Sequence, residues 1–103
     1  MPENTNSMPN LPAEGLFTYE FTNETIVIYQ NYNIKQLSVR CLATSAASGT
    51  VKGTGTAGPY QSKAMTVEQG AAQTLWTYGA QPAGNVTIVA PANCTMQIWG
   101  VRN

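Results

Sequence analysis

The chain contains no aspartate and no histidine. Without histidine it lacks the side chain that most often performs general acid–base catalysis at neutral pH, and no Cys–His dyad can form. The two absences together exclude a Ser–His–Asp triad. A calcium loop of the D-x-[DN] type cannot be written without aspartate. Two cysteines without histidine fall short of the four ligands of a structural zinc site. The carboxylates are all glutamates, Glu3, Glu14, Glu20, Glu24 and Glu68. Glu20 and Glu24 are the nearest pair, and their alternating surroundings read as solvated strand faces rather than as an acid–base couple. The chemistry available points to a protein that is not an enzyme and needs no cofactor or metal.

Charge of either sign is scarce. Charged residues make up 10% of the chain, against roughly 25% in an ordinary soluble domain. Five Lys or Arg balance five Glu, for a formal net charge of zero. A small monomer so poorly charged has little colloidal protection, so the composition suits a subunit packed against others. What charge there is lies unevenly. The first 29 residues hold four glutamates and no cation, and the rest hold all five cations against Glu68 alone. An acidic leader and a basic body can attract each other within or between chains. The cations are scattered and not in excess, which argues against nucleic acid as a partner.

Long apolar runs are also missing. No stretch approaches membrane-spanning length, and the start, MPENTNSMPN, has neither the basic region nor the apolar run of a signal peptide. The expectation is synthesis in a cytoplasm and no membrane partner. In that compartment a structural disulfide is disfavoured. Strand parity turns Cys41 and Cys94 inward, as buried thiols. A disulfide remains open if their strands are neighbours. The Gly-rich segment from Thr44 to Gln61 lacks the spacing of a phosphate loop and reads as turns.

What is present is period-two alternation, the pattern of half-buried strands. Phe17, Tyr19 and Phe21 share one face. Glu24 to Gln30 is apolar on both faces and reads as a central strand, after a turn at Thr22-Asn23. In Ile34 to Ala43, Leu37, Val39 and Cys41 point inward. Thr50 to Lys52 reads as a short edge strand guarded by its lysine. Lys63 to Val67 and Gln73 to Tyr78 follow. In the closing stretch from Asn85 to Val101, Val86, Ile88 and Ala90 alternate with polar neighbours, as do Cys94, Met96 and Ile98. Pro91-Ala92-Asn93 between them predicts the turn of a hairpin, because Pro91 has no N–H for a sheet ladder.

Seven or eight short strands and no helix predict an all-β fold, a small antiparallel β-sandwich of jelly-roll type over residues 17–103. Residues 1–16, rich in Pro and Asn, predict an extended N-terminal arm without a regular strand. Met8, Leu11 and Leu16 are its candidate apolar anchors. The remaining candidate contact residue is Trp99. Its neighbours Met96 and Ile98 claim the inward face, so Trp99 points outward with Thr95, Gln97 and Val101, as an interface anchor does. Tyr19, Tyr29, Tyr32, Tyr60, Trp76, Tyr78 and Trp99 could alternatively build a platform for a glycan, although core and interface filling is the better account of them.

The layout resembles the small all-β accessory proteins of tailed bacteriophage virions. The features that carry the resemblance are the leader MPENTNSMPNLPAEG, the Thr/Gly/Ala-rich strand body, and the closing strands NVTIVAP and CTMQIWGVR. It extends over the whole chain in style and contains no diagnostic motif. It implies a virion address and a head decoration (cement) subunit, or alternatively a tail or baseplate protein. Such a protein is often a trimer, with an arm lying on its neighbours. The implied partners are further copies of the chain and a capsid or tail protein.

Overall fold

In the computed structural model the described residues are 4–7, 15–28, 34–53, 65–76 and 85–102. They form strands β1 (Asn4–Ser7), β2 (Gly15–Ile28), β3 (Ile34–Cys41), β4 (Gly49–Gly53), β5 (Met65–Val67), β6 (Ala72–Trp76) and β7 (Val86–Arg102), and no helix occurs among them. The chain is therefore all-β, as its alternation predicts. The strands belong to one seven-stranded sheet with the order β1-β2-β7-β3-β6. Strand β4 also pairs with β7 and carries β5 on its other side. All the strand pairings are antiparallel except β1 with β2.

Strand β7 is the hub. Its first half, from Val86 to Val89, lies against Lys52, Gly53 and their neighbours in β4. Its second half, from Met96 to Arg102, lies against β3. On its other side both halves follow β2, from Ile28↔Val86 to Gly15↔Arg102. The hairpin expected at Pro91-Ala92-Asn93 is absent, and the segment is one continuous strand. The expected Thr22-Asn23 turn is likewise a point inside β2. From the pair Thr22↔Thr95 to the pair Glu24↔Ala90, β2 advances two residues while β7 advances five. Asn23 and Asn93 both take positive φ, 50° and 67°. Asparagine reaches that region more readily than other side-chain-bearing residues. Here it makes a bulge that bends two paired strands together instead of reversing either of them. Pro91 is tolerated because it lies in the stretch of β7 that skips ladder pairing.

The bulges also explain which face each residue takes. On β7 the buried set runs Val86, Ile88, Ala90, Cys94, Met96, Ile98 and Gly100, so parity survives the corner. On β2 it changes, with Phe17 and Phe21 buried before Asn23 and Ile26 and Ile28 after it. These residues join Ile34, Leu37, Val39, Cys41, Val51, Val67 and Leu75 in one core, with Tyr19 packed against it. Thr50-Val51-Lys52, expected at an edge, is flanked by β5 and β7 instead. Lys52 still points to solvent while Val51 is buried.

The loop from Leu42 to Ser48 clamps the corner. The N–H of Ala46 donates to the Asn93 carbonyl at 2.8 Å, and that of Leu42 to the Thr95 carbonyl at 3.0 Å. The Ser45 hydroxyl accepts from the Thr95 N–H at 3.0 Å and lies 3.2 Å from the Thr95 carbonyl. Ser45→Ala would orphan a part-buried amide at the bend. The expected loss is about 1–3 kcal/mol of unfolding free energy, read from the urea midpoint at constant slope.

Of the expected arm, residues 1–3 and 8–14 lie outside the described residues, and the described part differs from the expectation. Asn4–Ser7 is a strand, parallel to Glu24–Val27 of β2. Leu16 belongs to β2, opposite Val101, and not to an arm.

Candidate functional site

The outer face of β2, β7 and β3 can be built row by row from the register. Leu16, Val101 and Gln36 form the first row, and Thr18, Trp99 and Ser38 the second. Glu20, Gln97 and Arg40 form the third, and Thr22 pairs with Thr95 beyond them. The third and fourth rows are polar and internally bonded. Arg40 Nε donates to Gln97 Oε1 at 2.8 Å, and the hydroxyls of Thr22 and Thr95 lie 2.8 Å apart. The first two rows are apolar at their centre. Leu16 is 82% exposed, and it is the exposed large hydrophobic of the described surface. Trp99 and Val101 are half-buried beside it.

Together Leu16, Phe17, Thr18, Gln36, Trp99, Gly100 and Val101 line an open groove of about 420 Å³. Gly100 forms its floor for a steric reason. A Cβ there would collide with the carbonyl oxygen of Gln36 and lie 3.2 Å from Leu37 Cα. The β3 backbone approaches this closely beside a register shift between Ile34 and Gln36, a common setting for glycine within a strand.

Of the residues singled out in the sequence, Trp99 and Leu16 come together on this face. Met8, Leu11, Tyr29, Tyr32, Tyr60 and Tyr78, and the side chain of Trp76, lie outside the described residues. Tyr19 is not part of the patch. It sits on the inner face, stacked on Phe21 with ring centroids 5.6 Å apart, and its hydroxyl donates to Glu24 Oε2 at 3.0 Å. Burial, then the hydrogen bond and charge of Glu24, push its phenol above the usual 10.0. The parity change at Asn23 puts Glu24 on this inner side and leaves Glu20 on the outer face, so the two carboxylates do not meet. Gln36 and Val101 complete the groove, and sequence reasoning gave no register with which to bring Gln36 to Trp99.

The cysteines are free and buried, with Sγ atoms 3.6 Å apart. Cys94 is pushed from 9.0 up to about 12, first by burial and then by its hydrogen bond to Cys41 and the charge there. That is the reverse of an activated nucleophile, which needs a lowered pKa and access. No group of three or more His, Cys, Asp or Glu stands together among the described residues. No helix among them is long and apolar enough to cross a membrane.

A pH dependence follows. An unfolded thiol ionises near 9.0, while folded Cys94 keeps its proton up to about 12. The folded state then binds more protons than the unfolded one between those values, so stability falls as pH rises through that window. Tyr19 acts in the same direction from about 10 upward. Urea midpoints are expected to be flat from pH 7 to 8 and to fall above pH 9. Cys94→Ala should flatten the early part of that fall.

Comparison with known proteins gives no match, whether to a family model, a curated protein or a solved structure.

Proposed function

We propose that the chain is a non-enzymatic structural subunit of a virion, a capsid decoration or cement protein that packs its Leu16–Trp99–Val101 face against protein of the head lattice. The observation that supports the reading is the patch itself. It sets an exposed leucine beside a tryptophan on a sheet held from behind by the core, with a polar margin at Glu20, Gln97 and Arg40, the last two hydrogen-bonded to each other. Apolar centres with polar rims and a buried Trp anchor are what protein–protein contacts are built from. The resemblance of the sequence to phage accessory proteins makes the particle the partner, and further copies of the chain its neighbours. A tail or baseplate address is the alternative form of the same reading.

The groove also favours a second reading. Its volume lies in the range of small-ligand sites, and an indole beside the Gln36 amide could stack on a sugar ring and bond its hydroxyls. The two are separated by cosedimentation of the purified chain with undecorated heads of the encoding phage, alongside a glycan screen. Trp99→Glu should leave the β signal in circular dichroism intact and weaken particle binding about thirtyfold or more, the scale of a tryptophan hot spot. Undiminished particle binding by this variant, or glycan binding that it abolishes, would count against the structural-subunit reading.

A further inference from the structure

Among the described residues the sheet has an open backbone edge along β2, beside the apolar patch to which Leu16 and Thr18 give their side chains. Between Gly15 and Thr22, β2 pairs with β7 on one side and has no strand on the other among the described residues. Strand β1 covers the continuation of that edge from Glu24 to Val27 and stops there. The segment GLFTYEFT contains no Pro or Lys, and its one charge is Glu20. Natural proteins usually blunt an edge of this kind with the residues that are missing here.

The direction of the backbone groups follows from three hydrogen bonds. Leu42 N–H donates to the Thr95 carbonyl, Cys41 N–H to Ala71 and Gly70 N–H to Cys41. Odd-numbered residues of β7 therefore turn their backbone toward β3, and Met96, Ile98 and Gly100 turn theirs toward β2. By the register of that pair, Phe17, Tyr19 and Phe21 are engaged with β7. Leu16, Thr18, Glu20 and Thr22 direct their N–H and C=O groups out of the open edge, as alternation in an antiparallel ladder requires.

The geometry points to a two-fold contact in which this edge pairs antiparallel with the same edge of a second copy, Tyr19 facing Tyr19 across the axis. In that register Leu16 lies opposite Thr22 of the other copy and Thr18 opposite Glu20, each twice, so all four outward residues of each chain are bonded. A shift of one residue toward Leu16 leaves one outward residue unpaired. A shift of one residue the other way sets Glu20 against Glu20, and like charges directly opposite are destabilising. The edge is thus complementary to itself in one register. A chain with zero net charge adds no global repulsion between copies. An isologous contact of this kind is the commonest route to a dimer. The inference rests on the edge alone and stands apart from the virion reading.

Sedimentation equilibrium over a wide concentration range tests it, with the full chain and three Thr18 variants. Wild type should show a concentration-dependent dimer. Thr18→Pro removes a donor that faces the open edge and none of the ladder to β7, so it should keep the β signal and lose the dimer. Thr18→Lys would set a cation against Glu20 at two symmetric places, and Thr18→Glu a second carboxylate. The dissociation constant should fall for the first and rise for the second, each by roughly two- to thirtyfold. Both variants lose the bond from Thr18 Oγ1 to the Ile98 carbonyl, so that loss does not account for opposite signs. Hydrogen exchange should show the amides of residues 16, 18, 20 and 22 protected at high concentration, in Trp99→Glu as in wild type. A monomer at every concentration, an unaltered dimer in Thr18→Pro, or shifts of one sign for Lys and Glu would overturn the proposal. So would a monomer whose edge amides are protected only by added peptide.

Discussion

Gly100→Ala is expected to unfold the domain or bring it close to unfolding. The residue is buried near the C-terminal end of the hub strand, between β2 and β3, and pairs with Phe17 on one side and Leu37 on the other. A single methyl group there meets the Gln36 carbonyl oxygen, with the Gln36 carbonyl carbon at 3.0 Å and Leu37 Cα at 3.2 Å. All three are backbone atoms of a strand hydrogen-bonded in place, so no rotamer change relieves the contact. Gly49 provides the control. A Cβ there would collide with Met96 Sδ and Cε, the flexible end of a side chain, and would meet a single backbone atom, the Val89 carbonyl oxygen, at 3.0 Å. Overpacking typically costs about 1–3 kcal/mol and occasionally more. We expect Gly100→Ala at or beyond the upper end and Gly49→Ala at the lower. A domain with total stability of about 5–15 kcal/mol has little room for the first. Comparison of the two urea midpoints checks the order, and equal losses would mean that the β3 backbone yields as easily as a methionine.

The second large effect concerns two adjacent residues with opposite consequences. Ile98 is fully buried at the centre of the core. Its truncation in Ile98→Ala should cost about 2–5 kcal/mol, the range for removing a large aliphatic side chain from a packed core. Trp99, one position along, faces outward in the row of Thr18 and Ser38. Trp99→Ala should change the unfolding free energy much less and act on association instead. Thermal or urea unfolding of both variants, read beside their binding, checks this crossing of effects. A Trp99→Ala variant less stable than Ile98→Ala would mean that the indole is part of the packing and not of a contact surface.

Period two made the faces legible in the sequence. Val86, Ile88, Ala90, Cys94, Met96 and Ile98 alternate inward in the sequence and are buried in the fold, because alternation is a local property of a strand. Trp99 followed from the same parity. The corner reads as a turn in the sequence for an equally physical reason. Asn23, Pro91 and Asn93 are residues that turns require, and the same left-handed φ and missing N–H serve a bulge as well as a reversal. Which of the two occurs depends on whether the segments on either side pair with each other or with different strands. Here Val86 to Val89 pairs with β4 and Met96 to Arg102 with β3, and that information is not local. The groove was hidden for the same cause. Leu16, Gln36 and Trp99 are far apart in the chain and meet through registers that the sequence does not spell. The leader's four-residue strand was hidden too, since its asparagines and serine carry no alternation to betray a strand.

The position of the hub strand has a consequence for biosynthesis. Strand β7 follows every one of its partners in the chain, and among the described residues β2, β3 and β4 do not pair with one another. While a ribosome is still short of Val86, the pairings among the described strands that the nascent chain can hold are β1–β2, β3–β6 and β4–β5. The fold is thus completed from its far end, after translation of the other strands, by pairings as distant as Gly15 with Arg102. Such non-local closure places folding in the slow regime of β topologies, roughly milliseconds to seconds. Through that interval the apolar strands wait with unpaired edges, the condition under which nascent β proteins depend on chaperones.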